Sequence, residues 1–270
     1  MKKYFQQVFV LVAFLTIGFA VKAQTADEVI NKFIDAHGGK ERLNAITSLQ
    51  VESVLNLEQM GMTINITNIK QKEKLFRIQT SSPMSIEESF TILTDTSGYT
   101  YTPAINSPMG NMDASLTKFT DQELINQAYQ KDCAGYFAQL VDYAIKGSTA
   151  TLIGAEKAND VLCDKIQLKL KTGQEMVYYI AQTNGQVKRI QVQASIAMEM
   201  MGMGSMMKAF GGGQRMGDRK IDIQYEKYKI FDGYPFPTKQ SVSLGPMQVV
   251  VENTSFKVNQ PIDAKWFLVK

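Results

Sequence analysis

Alternation of apolar and polar side chains at every second position, cut into short runs by turn residues, constrains this chain more than any other feature. Leu49, Val51, Ser53, Leu55 and Leu57 alternate with Gln50, Glu52, Val54, Asn56 and Glu58, and Ile64 and Ile66 carry the pattern on. A period of two puts one set of side chains on each face of a strand. Further extended runs follow at Lys74 to Thr80, Ser89 to Leu93, Tyr99 to Tyr101, Ala150 to Ile153, Lys165 to Leu170, Glu175 to Ile180 and Val187 to Val192. Arg219 to Lys229, Thr238 to Leu244 and Gln248 to Lys257 complete the set. Asp95 to Gly98, Thr172-Gly173, Asn184-Gly185 and Gly245-Pro246 supply turn chemistry, and Asn-Gly between two extended runs is a strong hairpin signal. Sequential hairpins give an antiparallel sheet of about ten strands, not the βαβ alternation of a nucleotide-binding fold.

Helical spacing is confined to two places. Thr25 and Glu28 have the spacing of a capping box ahead of Val29, Ile30, Phe33 and Ile34, and Gly38-Gly39 ends that helix before a short one over Lys40 to Ile46. Thr120 and Glu123 repeat the box, with helical stripes at Leu124, Ile125, Ala128 and Tyr129 and then at Phe137, Leu140, Val141 and Ala144. Residues 103 to 117, with Pro103, Pro108 and Gly110, read as a loop. Phe231, Tyr234 and Phe236 beside Pro235 and Pro237 read as a rigid turn at a sheet edge, with a docking patch as the alternative. The expected fold class is therefore α+β: a large curved antiparallel sheet, an incomplete barrel, wrapped around a few helices as one domain over residues 24–270.

Residues 1–23 read as a signal peptide. Lys2 and Lys3 precede the apolar stretch Val8 to Val21, and Val21-Lys22-Ala23 offers a cleavage site before Gln24, with a retained anchor as the alternative. Removing Lys2, Lys3 and Lys22 from the 29 basic residues leaves them equal in number to the 26 acidic ones. A neutral mature chain argues against nucleic acid and against a surface held to anionic lipid by charge. No later segment is apolar for long enough to span a bilayer as a helix. The expectation is a soluble periplasmic protein. Cys133 and Cys163 would there either form a disulfide or remain as two free, partly buried thiols.

Residues 195–217 hold Met198, Met200, Met201, Met203, Met206, Met207 and Met216 out of 15 methionines, together with Gly211 to Gly213. The expected structure is a long Met/Gly-rich loop between two strands. Thioethers adapt to irregular apolar partners, so a flap over an acyl chain or a partner protein is one reading. Soft sulfur ligands for Cu(I) are another.

Catalytic machinery is absent from the pattern. There is one histidine, His37, placed at a helix C-terminus where its role is structural. No G-x-S-x-G elbow, H-E-x-x-H helix, phosphate-binding glycine loop or C-x-x-C occurs. Glu87 and Glu88 are adjacent and on a strand would face opposite ways. The chain is expected to be no enzyme, to need no cofactor or metal, and to bind an apolar ligand or a protein.

Three stretches then carry a family resemblance: ADEVINKFIDAHGGKERLNAITSL, LIGAEKANDVLCDKIQLKLKTGQEMVYYIAQTNGQVKRI, and YEKYKIFDGYPFPTKQSVSL followed by VNQPIDAKWF. Together they resemble the LolA/LolB-like periplasmic lipoprotein-carrier superfamily, especially the outer-membrane lipoprotein-sorting proteins of the Bacteroidetes type. The resemblance implies an incomplete barrel around helices with an apolar cavity for acyl chains, Tyr225 and Tyr228 on a strand before the Gly233 to Pro237 turn, and Asp263 to Phe267 closing the chain against the sheet. Arg77 is the nearest candidate for the carriers' critical arginine. The expected ligand-binding set is Arg77, Phe76, Tyr99, Tyr101, Phe137, Tyr225, Tyr228, Met198, Met200, Met201, Met203, Met206 and Met207. The expected function is noncatalytic carriage of lipoprotein acyl chains or another lipid toward the outer membrane. An envelope protein-interaction or assembly module and an exported Cu(I)-binding protein are the alternatives.

Overall fold

The computed structural model describes residues 24–57, 61–107, 110–204, 219–244 and 247–269. The expected signal peptide, together with Met206, Met207 and Met216, lies outside the described residues.

The first half of the sheet is β1 (Ser48–Leu57), β2 (Met62–Gln71), β3 (Leu75–Ser81), β4 (Ser89–Leu93), β5 (Gly98–Thr102) and β8 (Ser115–Lys118). The second half is β9 (Thr149–Ala158), β10 (Val161–Lys169), β11 (Glu175–Ala181), β12 (Val187–Gln193), β13 (Lys220–Phe231), β14 (Tyr234–Leu244) and β15 (Met247–Val258). They form one 13-stranded sheet in the order β8-β5-β4-β3-β2-β1-β15-β14-β13-β12-β11-β10-β9. Each half is a meander of hairpins, and β1 joins them by pairing antiparallel with β15, Leu55 opposite Val251. The two edge strands, β8 and β9, are consecutive in the sheet's chain order, so residues 119–148 must run from one edge to the other. A sheet this wide curls, and the segment crosses its inner face.

That crossing segment holds α3 (Asp121–Gln127), a 3₁₀ turn over Ala128–Lys131 and another over Ala138–Leu140. The helix expected over Phe137 to Ala144 is corrected to this single turn followed by irregular chain. Asp142 sits at φ 52°, a left-handed conformation that an α-helix cannot contain. Both capping boxes form: Thr25 Oγ1 accepts from the Glu28 amide at 3.2 Å ahead of α1 (Ala26–Ala36), and Thr120 does the same for Glu123. Helix α1 lays Val29, Ile30, Phe33 and Ile34 on the main core, and α2 (Lys40–Asn44) adds Leu43.

Three further expectations change. The loop expected over 103–117 contains a two-stranded ribbon, β6 (Ile105–Ser107) and β7 (Gly110–Met112), and the start of β8. Pro235 and Pro237 lie inside β14, at the centre of the sheet and not in a turn at its edge. The register explains how a central strand accepts them. Tyr228 and Ile230 on β13 face Pro237 and Pro235, but β14 begins to pair with β15 only at Lys239, so the missing N–H groups fall where no ladder bond is required. Asn253 Nδ2 donates to the Pro237 carbonyl at 2.8 Å in place of the ladder. Finally, the expected loop from 195 opens as α4 (Ala194–Met200). Its end is set by Gly202 at φ 76°, with the Met203 amide donating back to the Met198 carbonyl at 2.8 Å, a Schellman stop.

The main core lies between the inner face and the helices. A second cluster, Ile69, Leu75, Phe90, Ile92 and Tyr101, sits on the outer face under Ile262, Trp266 and Phe267 of the C-terminal segment. Cys133 belongs to the main core and Cys163 to a third cluster with Val177 and Tyr179; both thiols are free and buried.

Candidate functional site

The inner face is not filled. Between it, the crossing segment and α4 lies a cavity of about 100 Å³. The strands build its floor by parity. On β1, Leu49, Val51 and Ser53 point inward; on β2 their partners in the register are Lys70, Asn68 and Ile66. Phe76 and Ile78 of β3, Met176 and Tyr178 of β11, Tyr225 of β13 and Val251 of β15 complete the apolar part. Tyr129, Tyr136, Phe137 and Gln139 from the crossing segment, Met200 from α4 and Met201 just after it close it from above.

Aromatic rings hold this roof. Phe137 meets Tyr225 edge-on at 5.0 Å, and Tyr136 does the same with Tyr225 at 6.0 Å. Such edge contacts fix ring orientation as well as burying area. His37, at the end of α1, is buried against Phe33 and Phe137, and its Nδ1 lies 2.8 Å from the Phe33 carbonyl. Burial pulls its pKa down to about 4, so the ring is neutral at pH 7. The structural role expected for His37 is the one observed.

A polar band crosses the cavity floor. Ser53 Oγ donates to Asn253 Oδ1 at 2.7 Å, and Tyr136 OH donates to Gln240 Oε1 at 3.2 Å. Other polar atoms there are not satisfied: among the described residues, Asn68 Oδ1, Tyr129 OH and Tyr225 OH are buried without a hydrogen-bond partner. All three residues line the cavity. Burial drives the Tyr136 hydroxyl up to about 12 and raises Tyr225 well above its ordinary range, so both stay protonated. Lys70 Nζ donates to the Asp132 carbonyl at 3.3 Å, and burial lowers its pKa.

The expected site residues divide sharply. Phe76, Phe137, Tyr225, Met200 and Met201 line the cavity. Met203 lines a second, smaller cavity of about 30 Å³ with Leu55 and Ile64, and Met198 is buried in the main core. Tyr228 packs on that core with its hydroxyl on the Val187 carbonyl at 2.6 Å, outside the cavity lining. Arg77, Tyr99 and Tyr101 are corrected to the outer face. Arg77 follows Phe76 on β3 and so points the other way; it stacks on Phe90 at 4.2 Å and donates to the Leu268 carbonyl at 2.7 Å. Tyr99 and Tyr101 belong to the same outer cluster. Missed in the sequence were Asn68, Lys70, Tyr129 and Tyr136. For the first two a signal existed: they continue the inward parity of Ile64 and Ile66, so two polar groups had to face the core.

No family model matches the sequence, and no curated protein does. Solved structures do. A LolA superfamily protein from Nitrosomonas europaea aligns with TM-score 0.52 and 12% identity over 91% of this chain and 98% of its own. A DUF1329 family protein from Desulfovibrio piger aligns with TM-score 0.53 and 8% identity over 90% of this chain and 97% of its own. At these identities what is shared is the fold: an open antiparallel sheet around a short set of helices.

Proposed function

We propose that the mature chain is a noncatalytic periplasmic carrier that holds lipoprotein acyl chains or another lipid in the inner cavity and takes them toward the outer membrane. The observation that carries this reading is the cavity itself: Val51, Ile66, Phe76, Ile78, Met201 and Val251 present apolar surface in a space that the chain's own side chains leave open. Isolated apolar voids in cores are small because unfilled volume costs stability. A void of about 100 Å³ between the sheet and its crossing segment, lined mostly by apolar side chains, supports entry of a ligand there.

The roof is suited to admitting a chain. Residues 128–140 contain only 3₁₀ turns, which hold less strongly than α-helix. Methionines at 200 and 201 adapt to chains of different shape. The LolA-type fold raises the prior for a lipid carrier by analogy, and the expected signal peptide would deliver the protein to the compartment where lipoproteins travel.

The test is titration of delipidated protein with a triacylated lipopeptide and with the same peptide lacking its acyl groups. Micromolar or tighter binding of the first and none of the second is the expected outcome. Equal binding of both would reject the cavity as the binding element and favour a protein-interaction surface.

A further inference from the structure

The cavity has a second compartment in contact with it. On the far side of the crossing segment lies a cleft of about 470 Å³, and Tyr129 and Gln139 line both spaces. Gln139 Nε2 donates to the Tyr129 carbonyl at 2.9 Å, a single bond in the partition between them. Lysines gather there: Lys70 lines the cavity, and Lys72, Lys131, Lys146 and Lys171 line the cleft.

The carboxylates nearby are already engaged. Asp142 is held by Lys40 Nζ at 2.6 Å and by Asn44 Nδ2 at 2.6 Å, and Asp132 by Lys146. Glu73, exposed on the β2–β3 turn, is the remaining acid of the lining. By contrast, Lys70 donates to the Asp132 carbonyl, Lys72 to the Asn44 carbonyl at 3.0 Å and Lys131 to the Thr94 carbonyl at 3.1 Å, with Asp95 3.9 Å from Lys131. Main-chain carbonyls satisfy one donor each but neutralise no charge, and an ammonium has three donors. Ile125 and Ile145, 54% and 81% exposed, give the cleft an apolar rim.

We infer that the ligand is an acidic lipid whose phosphate or carboxylate head rests on Lys70, Lys72 and Lys131 while its acyl chain passes Tyr129 and Gln139 into the cavity. This rests on the carrier reading and narrows it. A ligand of hydrocarbon alone would leave the Lys70 ammonium with the Asp132 carbonyl as its acceptor and no counter-charge from the ligand, and the Tyr129 hydroxyl without a partner. A charged head at the partition supplies acceptors to both, in a half-buried site where charge-assisted hydrogen bonds are strong.

The experiment incubates delipidated protein with vesicles of phosphatidylglycerol and phosphatidylcholine in equal amounts, and separately of palmitate and phosphatidylcholine, then quantifies the lipid retained by mass spectrometry. Enrichment of an acidic lipid by about tenfold over phosphatidylcholine is expected, the difference one charge-assisted hydrogen bond makes. Phosphatidylglycerol enrichment identifies a phosphate head and palmitate enrichment a carboxylate. Lys70→Met should remove the enrichment while phosphatidylcholine uptake persists; the double variant Lys72→Gln/Lys131→Gln, altered only at the cleft, should lower it if Lys70→Met does not fold. Equal uptake of acidic and zwitterionic lipid by the unaltered protein, or enrichment unchanged in the variants, overturns the headgroup site and leaves the carrier reading standing. Uptake of no lipid overturns both.

Discussion

Phe76 and Arg77 are neighbours on β3, and the two faces they look onto are built on different terms. Around Arg77 on the outer face the polar groups are engaged: the guanidinium reaches Gln79 Oε1 at 2.9 Å and the Leu268 carbonyl at 2.7 Å, and the C-terminal segment covers the apolar cluster beside it. On the inner face Phe76 looks into an open cavity where Asn68, Tyr129 and Tyr225 each bury an oxygen without a partner among the described residues. A cluster whose polar groups are engaged stabilises one arrangement. A cavity wall with polar groups that lack protein partners leaves them open to water or a ligand, and that difference marks the candidate site better than the abundance of aromatic residues does.

The largest stability effect expected comes from the inner side. His37 has its pKa lowered from 6.5 to about 4 by burial, so protons bind the unfolded chain more readily across that interval. The contribution is fully present above pH 6.5 and is lost as pH falls toward 4, by about 3 kcal/mol in total. Urea unfolding at pH 7 and pH 4.5 should show the loss, and His37→Phe should flatten that part of the profile. An unchanged slope in the variant would place the acid sensitivity elsewhere.

Next comes the outer face. Arg77→Met removes two charge-assisted hydrogen bonds and a stacking contact, and should cost about 2–3 kcal/mol in urea unfolding. Lipid occupancy should not change. Reduced lipid binding at unchanged stability would return Arg77 to the binding machinery and erase the division between the faces.

The smallest effect sharpens the contrast. Tyr225→Phe deletes a buried hydroxyl that has no partner among the described residues, so the empty protein should change by less than about 1 kcal/mol. Thermal unfolding with and without bound lipid is the check. A ligand-dependent Tm shift that shrinks in the variant assigns the hydroxyl to the ligand; a large destabilisation of the empty protein assigns it to the core.

Much of the scaffold was legible in the sequence because strands and caps are local. The alternation at Leu49 to Leu57 and the Thr25–Glu28 and Thr120–Glu123 spacings each encode their element within a few residues. The prolines of β14 misled because their tolerance depends on where β15 starts to pair, a fact of register between distant segments. The crossing segment misled for a related reason: its apolar spacing is helical, but the chain must span from β8 to β9 and turns at Asp142 to do so. Within the site, Phe76, Phe137 and Tyr225 were recoverable from apolar character. Arg77 was not compatible with Phe76 on one face, and parity alone would have said so. Tyr129 lies on a 3₁₀ turn, where the spacing of an α-helix points it the wrong way, and Tyr136 on irregular chain, where no periodicity assigns a direction.

The most direct test of the cavity is lipid extracted from protein purified without detergent, compared between the unaltered chain and Val51→Trp. Val51 lies on the floor of the cavity, and an indole there occupies the space an acyl chain would take. The expected result is lipid bound near one molecule per chain in the unaltered protein and at least about tenfold less in the folded variant. Equal lipid in both, with the variant folded, would contradict a ligand held between the sheet and its crossing segment.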